Sequence, residues 1–227
     1  MTLCQVISTR EKIGHFTSTL IRQGTLAENN LEQEAKFYIA NLPALERRLK
    51  SLEAALTHPR VFETNLRFDF PNRSLSGKGQ VLRLRQDERA RMTFKGPSDP
   101  AQEISSRPEI EFEVSSFDNA RALLDALGYV VSVMYEKYRT SYELHGCEIT
   151  LDELPYGTFT EIEGPDAAAI RGVANLLGLK WAARTRASYL ILFEHLRQGG
   201  LDARNLSFAE VSRSFPPEAL GLSAADE

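Results

Sequence analysis

An α+β fold built on an eight-stranded antiparallel β-barrel, with helices packed outside it, is what this 227-residue sequence predicts. Three observations carry that expectation. Eight segments alternate polar and apolar residues with a period of two, and turn residues bound each of them. Helical spacing of apolar residues appears after the first, fifth and eighth of these segments. The polar positions of most segments are dominated by charged residues, which closure of the sheet would turn inward while removing its exposed edges.

The first strand is LEQEAKFYIA (31–40), with Glu32, Glu34 and Lys36 on one face and Ala35 and Phe37 on the other. Pro43 then opens a helix, PALERRLKSLEAAL (43–56), whose Leu45, Leu49, Leu52 and Leu56 recur at helical spacing. Strands two to five are RVFETNLRFDF (60–70), QVLRLRQ (80–86), RARMTFKG (89–96) and RPEIEFEV (107–114). Pro71-Asn72, Gly77-Lys78-Gly79 and Gly96-Pro97 punctuate them. A helix follows in SSFDNARALLDALG, with Ser116 as its N-cap and Gly128 as its stop. YVVSVMYEKYRTSYEL (129–144), CEITLDEL (147–154) and GTFTEIEG (157–164) complete the strands, turned by His145-Gly146 and Pro155-Tyr156-Gly157. The last helices are PDAAAIRGVANLLG (165–178) and ASYLILFEHLRQ (187–198). In the second of these, Tyr189, Leu192, Phe193 and Leu196 share a face, which favours packing outside the barrel over closing one of its ends. Residues 1–30 read as an extension, one helix or disordered, 31–198 as the domain, and 199–227, with Pro216-Pro217, as a loose tail.

Composition narrows the function classes. With 27 Lys and Arg against 31 Asp and Glu, the chain has a net charge of −4 and no global basic field for nucleic acid or for a membrane surface. Cys4 and Cys147 are far apart and lack partners at metal spacing, which suits a reducing cytoplasm better than a disulfide framework. No apolar run approaches the ~18 residues of a membrane span, and the N-terminus lacks the apolar core of a signal peptide. A cytoplasmic protein without a nucleic-acid or membrane partner is the expectation. His15, His58, His145 and His195 do not cluster, Cys147 has no evident histidine beside it, and Trp181, between two helices, reads as a packing residue. Gly77-Lys78-Gly79 lacks the GxxxxGK[ST] spacing of a P-loop.

The charges on the polar faces are the informative part. After Glu32, Glu34 and Lys36 come Glu63, Asn65 and Arg67, then Arg83 and Arg85, then Arg91, Thr93 and Lys95. Glu109, Glu111 and Glu113 follow, then Lys137, Arg139 and Ser141, then Glu148, Thr150 and Asp152, and last Glu161 and Glu163. An ordinary antiparallel sheet with one wet face shows the same alternation. Turned inward, however, such charges would be prohibitive without compensation. Arginine and lysine match phosphate oxygens, and carboxylates match hard divalent cations that themselves bind phosphate. A site for a metal ion and a polyphosphate satisfies both sets.

These residues resemble a known family. ExExK, here Glu32-Gln33-Glu34-Ala35-Lys36, is similar to the signature of the CYTH superfamily of triphosphate tunnel metalloenzymes. LRLR (82–85), TFKGP (93–97), EIEFEV (109–114), EKYR (136–139), LDEL (151–154) and FTEIEG (159–164) follow it in order. The resemblance spans about residues 31–198 and implies a barrel open as a tunnel, holding a small-molecule triphosphate with Mg²⁺ or Mn²⁺. It implies Glu32, Glu34, Asp152, Glu161 and Glu163 as metal ligands, and Lys36, Arg83, Arg85, Lys95, Lys137 and Arg139 as the phosphate cradle. Arg67 and Glu111 face the same way, as phosphate contacts or as internal salt-bridge partners. Glu32, Glu34, Lys36 and Asp152 carry the catalytic expectation. The implied reaction is hydrolysis of inorganic tripolyphosphate, a nucleoside triphosphate or thiamine triphosphate. The same residues would serve a class IV adenylate cyclase, and a non-catalytic polyphosphate-binding module is the third alternative. The resemblance also admits a homodimer.

Overall fold

The structure, a computed structural model, describes residues 31–227. The predicted extension, residues 1–30, and with it Cys4 and His15, lies outside them. Eight strands form one antiparallel sheet: β1 (Leu31–Tyr38), β2 (Ala55–Asp69), β3 (Val81–Gln86), β4 (Ala90–Lys95), β5 (Ser105–Val114), β6 (Val130–Leu144), β7 (Cys147–Leu154) and β8 (Gly157–Glu163). They close into a ring in the order β1-β5-β4-β3-β2-β6-β7-β8. Four helices accompany the sheet: α1 (Leu42–Ser51), α2 (Phe117–Ala126), α3 (Ala167–Leu176) and α4 (Tyr189–Gln198). Among the described residues, no helix is long and apolar enough to cross a membrane.

The helix ends show why the first boundary differs from expectation. Side chains of Asn41, Ser116, Asp166 and Ser188 cap the four N-termini by accepting a backbone N–H three residues on. α2, α3 and α4 each stop at a left-handed glycine, Gly128, Gly178 and Gly200. In each, the next N–H returns to a carbonyl five residues back, as in Tyr129 to Leu124. α1 stops in the same way, with Ala54 donating to Leu49 O, but the left-handed position is held by Glu53 at φ 58°. The predicted helix 43–56 therefore ends early, and Ala55 and Leu56 join β2 by pairing with Tyr142 and Glu143 of β6.

Packing divides the ring into three parts. Outward-facing Phe37, Ile149 and Ile162 meet Leu45 and Leu49 of α1 and Ile170 of α3. Outward-facing Leu66, Phe68 and Leu84 meet Ala120 and Leu124 of α2. The third cluster is different. Tyr38, Leu154, Phe159 and Tyr135 continue the inward-facing positions of Lys36, Asp152, Glu161 and Lys137, and they pack against Tyr189, Leu192 and Phe193 of α4. The apolar face of α4 thus fills part of one end of the ring. It does not pack outside it.

Nor is 199–227 a loose tail. Leu206, Val211, Leu220 and Ala225 are buried, and the segment completes strand edges that shorter neighbours leave open. β5 pairs with β1 only as far as Glu34, and beyond it Thr185 N and Ala225 N donate to Lys36 O at 2.8 Å and Tyr38 O at 3.0 Å. β7 ends at Leu154, and beyond it Leu206 bonds Met134 and Glu136 of β6. The Asp226 carboxylate accepts the N–H groups of Ala40 and Asn41 at the start of α1.

Candidate functional site: the charged interior of the ring

A cavity of about 1450 Å³ occupies the ring, lined by the inward-facing residues of all eight strands. Alternation and register fix who faces whom. Lys36 stands opposite Glu161, Glu34 opposite Glu163, and Glu163 opposite Glu148 on its other side. Arg83 stands opposite Arg67 and Thr93, and Arg139 opposite Asp152.

Most interior cations are answered by carboxylates. Lys36 reaches Glu161 at 3.0 Å and Glu34 at 3.8 Å, and Lys95 pairs with Glu32 and with Glu109 at 2.9 Å. Arg83 and Arg85 both bind Glu111, which also accepts from Thr93. Glu111 is therefore an internal salt-bridge partner. Arg67 has no ion pair among the described residues, and its buried Nε has no hydrogen-bond partner there. Lys137 lies between Asp152 at 3.1 Å and Glu63 at 3.6 Å, and Arg139 joins Asp152 to Glu161.

The carboxylates divide by surroundings. Glu63 is fully buried, which by itself would favour the neutral acid, yet Lys137, Arg139 and Arg85 outweigh burial and lower it to about 2. For Glu161, burial is likewise overcome, by Lys36, Arg139 and Lys137, and its carboxyl is held well below the usual range. Glu34 moves the other way: burial and the Glu161 charge raise it against the opposing pull of Lys36. Glu163 is pushed up to about 8, first by loss of water and then by the neighbouring Glu32, Glu148 and Glu34 carboxylates. Its side chain stays exposed to solvent at the rim, so crowding by like charges is the cause that weighs most.

These carboxylates suit a divalent cation by their chemistry. Glu32, Glu34, Glu163 and Glu148 occupy neighbouring inward positions on β1, β8 and β7, supply only hard oxygen donors, and repel one another. As they stand, no three acidic, histidine or cysteine side chains among the described residues converge closely enough to hold an ion, because Glu32 and Glu34 lean toward Lys95, Arg107 and Lys36. Asp152 does not fit the ligand role the resemblance gave it. Its side chain is 0% exposed and lines no part of the cavity. It accepts from Lys137, Arg139 and, at 2.7 Å, the hydroxyl of Tyr189. Burial and the Asp152 charge raise the Tyr189 phenol well above its usual range, which keeps that proton in place as a donor.

Several residues that shape the site escaped the sequence reading. Arg107, bonded to Glu32 at 3.3 Å, shares its parity with Glu109, and Tyr135, bonded to Arg83, shares its parity with Lys137. Both could have been found by extending the period of two by one step. Glu63 was visible on the polar face without any sign of its role. Tyr189 had no signal, because its ring also belongs to the apolar face of α4; Lys36 sits 4.5 Å from that ring. The remaining residues behave as expected. Trp181 packs outside the ring near Phe37, His145 sits in a left-handed turn, and Cys147 is buried, its thiol pushed up by burial.

Comparison with known proteins adds the family. The CYTH domain matches residues 30–173. A candidate adenylate cyclase from Vibrio parahaemolyticus is 24% identical with a TM-score of 0.65, over 73% of this chain and 98% of that one. A protein from Pyrococcus horikoshii is 27% identical with a TM-score of 0.62, over 73% and 99%. A candidate adenylyl cyclase from Hippeastrum, described as having a dominant triphosphatase activity, is 20% identical with a TM-score of 0.53, over 74% and 96%. No curated protein matches.

Proposed function

Because the chain belongs to the CYTH family, we propose that it is a divalent-metal-dependent hydrolase of a small triphosphate: inorganic tripolyphosphate, a nucleoside triphosphate or thiamine triphosphate. One observation carries the reading. The ring encloses a wall of buried lysines and arginines facing a group of carboxylates that repel each other. A polyanion answers the first and a divalent cation the second.

Mg²⁺ or Mn²⁺ would be held by Glu32, Glu34 and Glu163 with Glu161 nearby, and would supply Lewis-acid chemistry, neutralising phosphate oxygen charge and making phosphorus more electrophilic. The chain's own residues do the rest. Lys36 on β1 and Lys137 and Arg139 on β6 flank the carboxylates of Glu161 on β8 and Asp152 on β7, and Arg83, Arg85 and Lys95 stand on β3 and β4. Their guanidinium and ammonium groups bind the phosphate chain and stabilise charge developing on the leaving phosphate. Asp152 acts through others: it holds Lys137 and Arg139 in place, and Tyr189 holds Asp152.

The test offers purified protein tripolyphosphate and ATP separately with Mg²⁺ or Mn²⁺, and follows phosphate and cyclic AMP together. Phosphate released from tripolyphosphate by the native chain, and absent with Glu34→Ala, is the expected result. Cyclic AMP and pyrophosphate from ATP would replace hydrolysis with cyclisation. Tight binding without turnover would leave a binding module.

A further inference from the structure

The interior of the ring changes character along its length. On β6 the inward positions run from Arg139 through Lys137 and Tyr135 to Val133, and on β3 from Arg85 through Arg83 to Val81. Charge gives way to apolar surface toward the end where β2 stops and β3 and β6 begin. Phe70, just beyond β2, and Val130, at the start of β6, line the same end of the cavity. α4 supplies a further wall there. Its Leu190, Glu194 and Arg197 recur at helical spacing and line the cavity, while Leu192 and Leu196 are buried in the cluster behind them. The opposite end is charged, with Asp87, Glu148 and Glu163 among its lining residues.

A phosphate chain has no use for this apolar end, because phosphate oxygens gain nothing from contact with Val81, Val133 or Leu190. Nor does the core cover it: among its lining residues Val130 is 44% and Ile191 61% exposed. Aliphatic side chains around a flat ring, with a few polar groups at the edge, are what an organic ligand selects. Phe70 is the flat ring, and its stacking on Tyr129, with centroids 4.2 Å apart and planes at 30°, holds it in place. Size agrees. The cavity of about 1450 Å³ exceeds the roughly 300–1,000 Å³ of ordinary small-molecule sites, which leaves room for a ring system beside a phosphate chain.

We propose that the α4 end of the ring, with Phe70, Val133 and Leu190, is a subsite for the organic group of a substituted triphosphate, a flat heterocycle carried at one end of the phosphate chain. The phosphates then point away from α4, toward the carboxylates at the other end. This rests on the triphosphate reading above and narrows it, since inorganic tripolyphosphate has nothing to place against these residues. A nucleoside triphosphate and thiamine triphosphate share the required chemistry, and the test separates them.

Calorimetry on the full chain, with divalent metal removed by chelator, measures binding without turnover. The probes are ATP, thiamine triphosphate, tripolyphosphate, and methyl triphosphate, which keeps the phosphate chain and its ester but carries no ring. The native chain is expected to bind ATP or thiamine triphosphate about tenfold more tightly than methyl triphosphate, the effect of one stacked ring. Whichever of the two gains identifies the heterocycle. Phe70→Ala and Leu190→Ser should each cut that ratio several-fold and leave methyl triphosphate and tripolyphosphate within about twofold of the native chain. A ratio near one in the native chain would overturn the subsite. So would a ratio that survives both substitutions, or equal weakening of all four probes, because the ring would then bind elsewhere or the side chains would act on the phosphates. If the native chain binds no triphosphate at all, the functional reading fails; if it binds all four equally, only the subsite fails. Phe70 and Leu190 lie on different elements, so if one variant does not fold, the other decides.

Discussion

Glu63 and Glu163 are the same residue type in the same ring, yet one is lowered to about 2 and the other raised to about 8. Glu63 is sealed between β3 and β6 with Lys137, Arg139 and Arg85 around it. Glu163 stands at the rim between β1 and β7, where Glu34 and Glu148 are its cross-strand neighbours. The first has its charge compensated by the chain itself. The second does not, and it is there that the proposed cation would find uncompensated negative charge. Charge in one part of this interior is structure, and in the other it is capacity.

Removing a member of the uncompensated group should have the largest effect. Glu34→Gln is expected to lower kcat about 10²- to 10³-fold while thermal unfolding stays within a few degrees of the native chain. An activity loss matched by a collapse in stability would show that Glu34 belongs to the compensated group instead.

Glu63→Gln should do the reverse. Its ordinary value of 4.5 falls to about 2 in the fold, so ionised Glu63 contributes on the order of 3 kcal/mol. The sign follows from that depression. The contribution is fully present above pH 4.5 and is lost as pH falls toward 2. Unfolding followed across this acid window should steepen for the native chain and flatten for the variant. At neutral pH the variant should melt roughly 10 °C lower.

Glu163 provides a sharper contrast. In the metal-free chain its raised value means that stability is greatest below its ordinary 4.5 and is lost as pH rises through about 8. A divalent cation needs the ionised form, so Mn²⁺ binding at pH 7 should release roughly one proton. Calorimetry in two buffers of different ionisation enthalpy reads this directly. Less proton release at pH 9, and less at pH 7 with Glu163→Gln, are the expected results. Proton release that does not change with pH would break the comparison.

The smallest effect concerns the support behind the compensated part. Tyr189→Phe removes the donor to Asp152 and should cost about 1–2 kcal/mol in stability. Its effect on KM for tripolyphosphate should be modest, because Lys137 and Arg139 still hold Asp152.

Much of this was legible in the sequence, and the reason is geometric. A period of two assigns each strand residue to a face, so Glu32, Glu34, Lys36, Arg83, Arg85 and Lys95 could be placed inside before any pairing was known. Which charges neutralise each other depends on register between strands distant in sequence, so the pairing of Asp152 with Lys137 and Arg139, which sets aside the ligand role the resemblance implied for it, had no sign in the sequence. The end of α1 was hidden because Glu53 takes the position that glycine holds in the other three helices. The C-terminal segment was hidden for another reason. Leu206, Val211, Leu220 and Ala225 are buried but fall at spacings of neither strand nor helix, and a set without a period leaves no pattern to read.

That last segment bears on how the molecule is made. β1 emerges from the ribosome early, yet the hydrogen bonds at its upper edge and at the start of α1 come from Ala225 and Asp226. Nascent chains that still lack those residues carry a sheet whose β1 edge is left without the Ala225 hydrogen bond. Folding of this chain during synthesis is therefore left unfinished until about residue 226 has been released. Until then the growing chain keeps an unpaired strand edge, the kind of feature that makes folding intermediates prone to association.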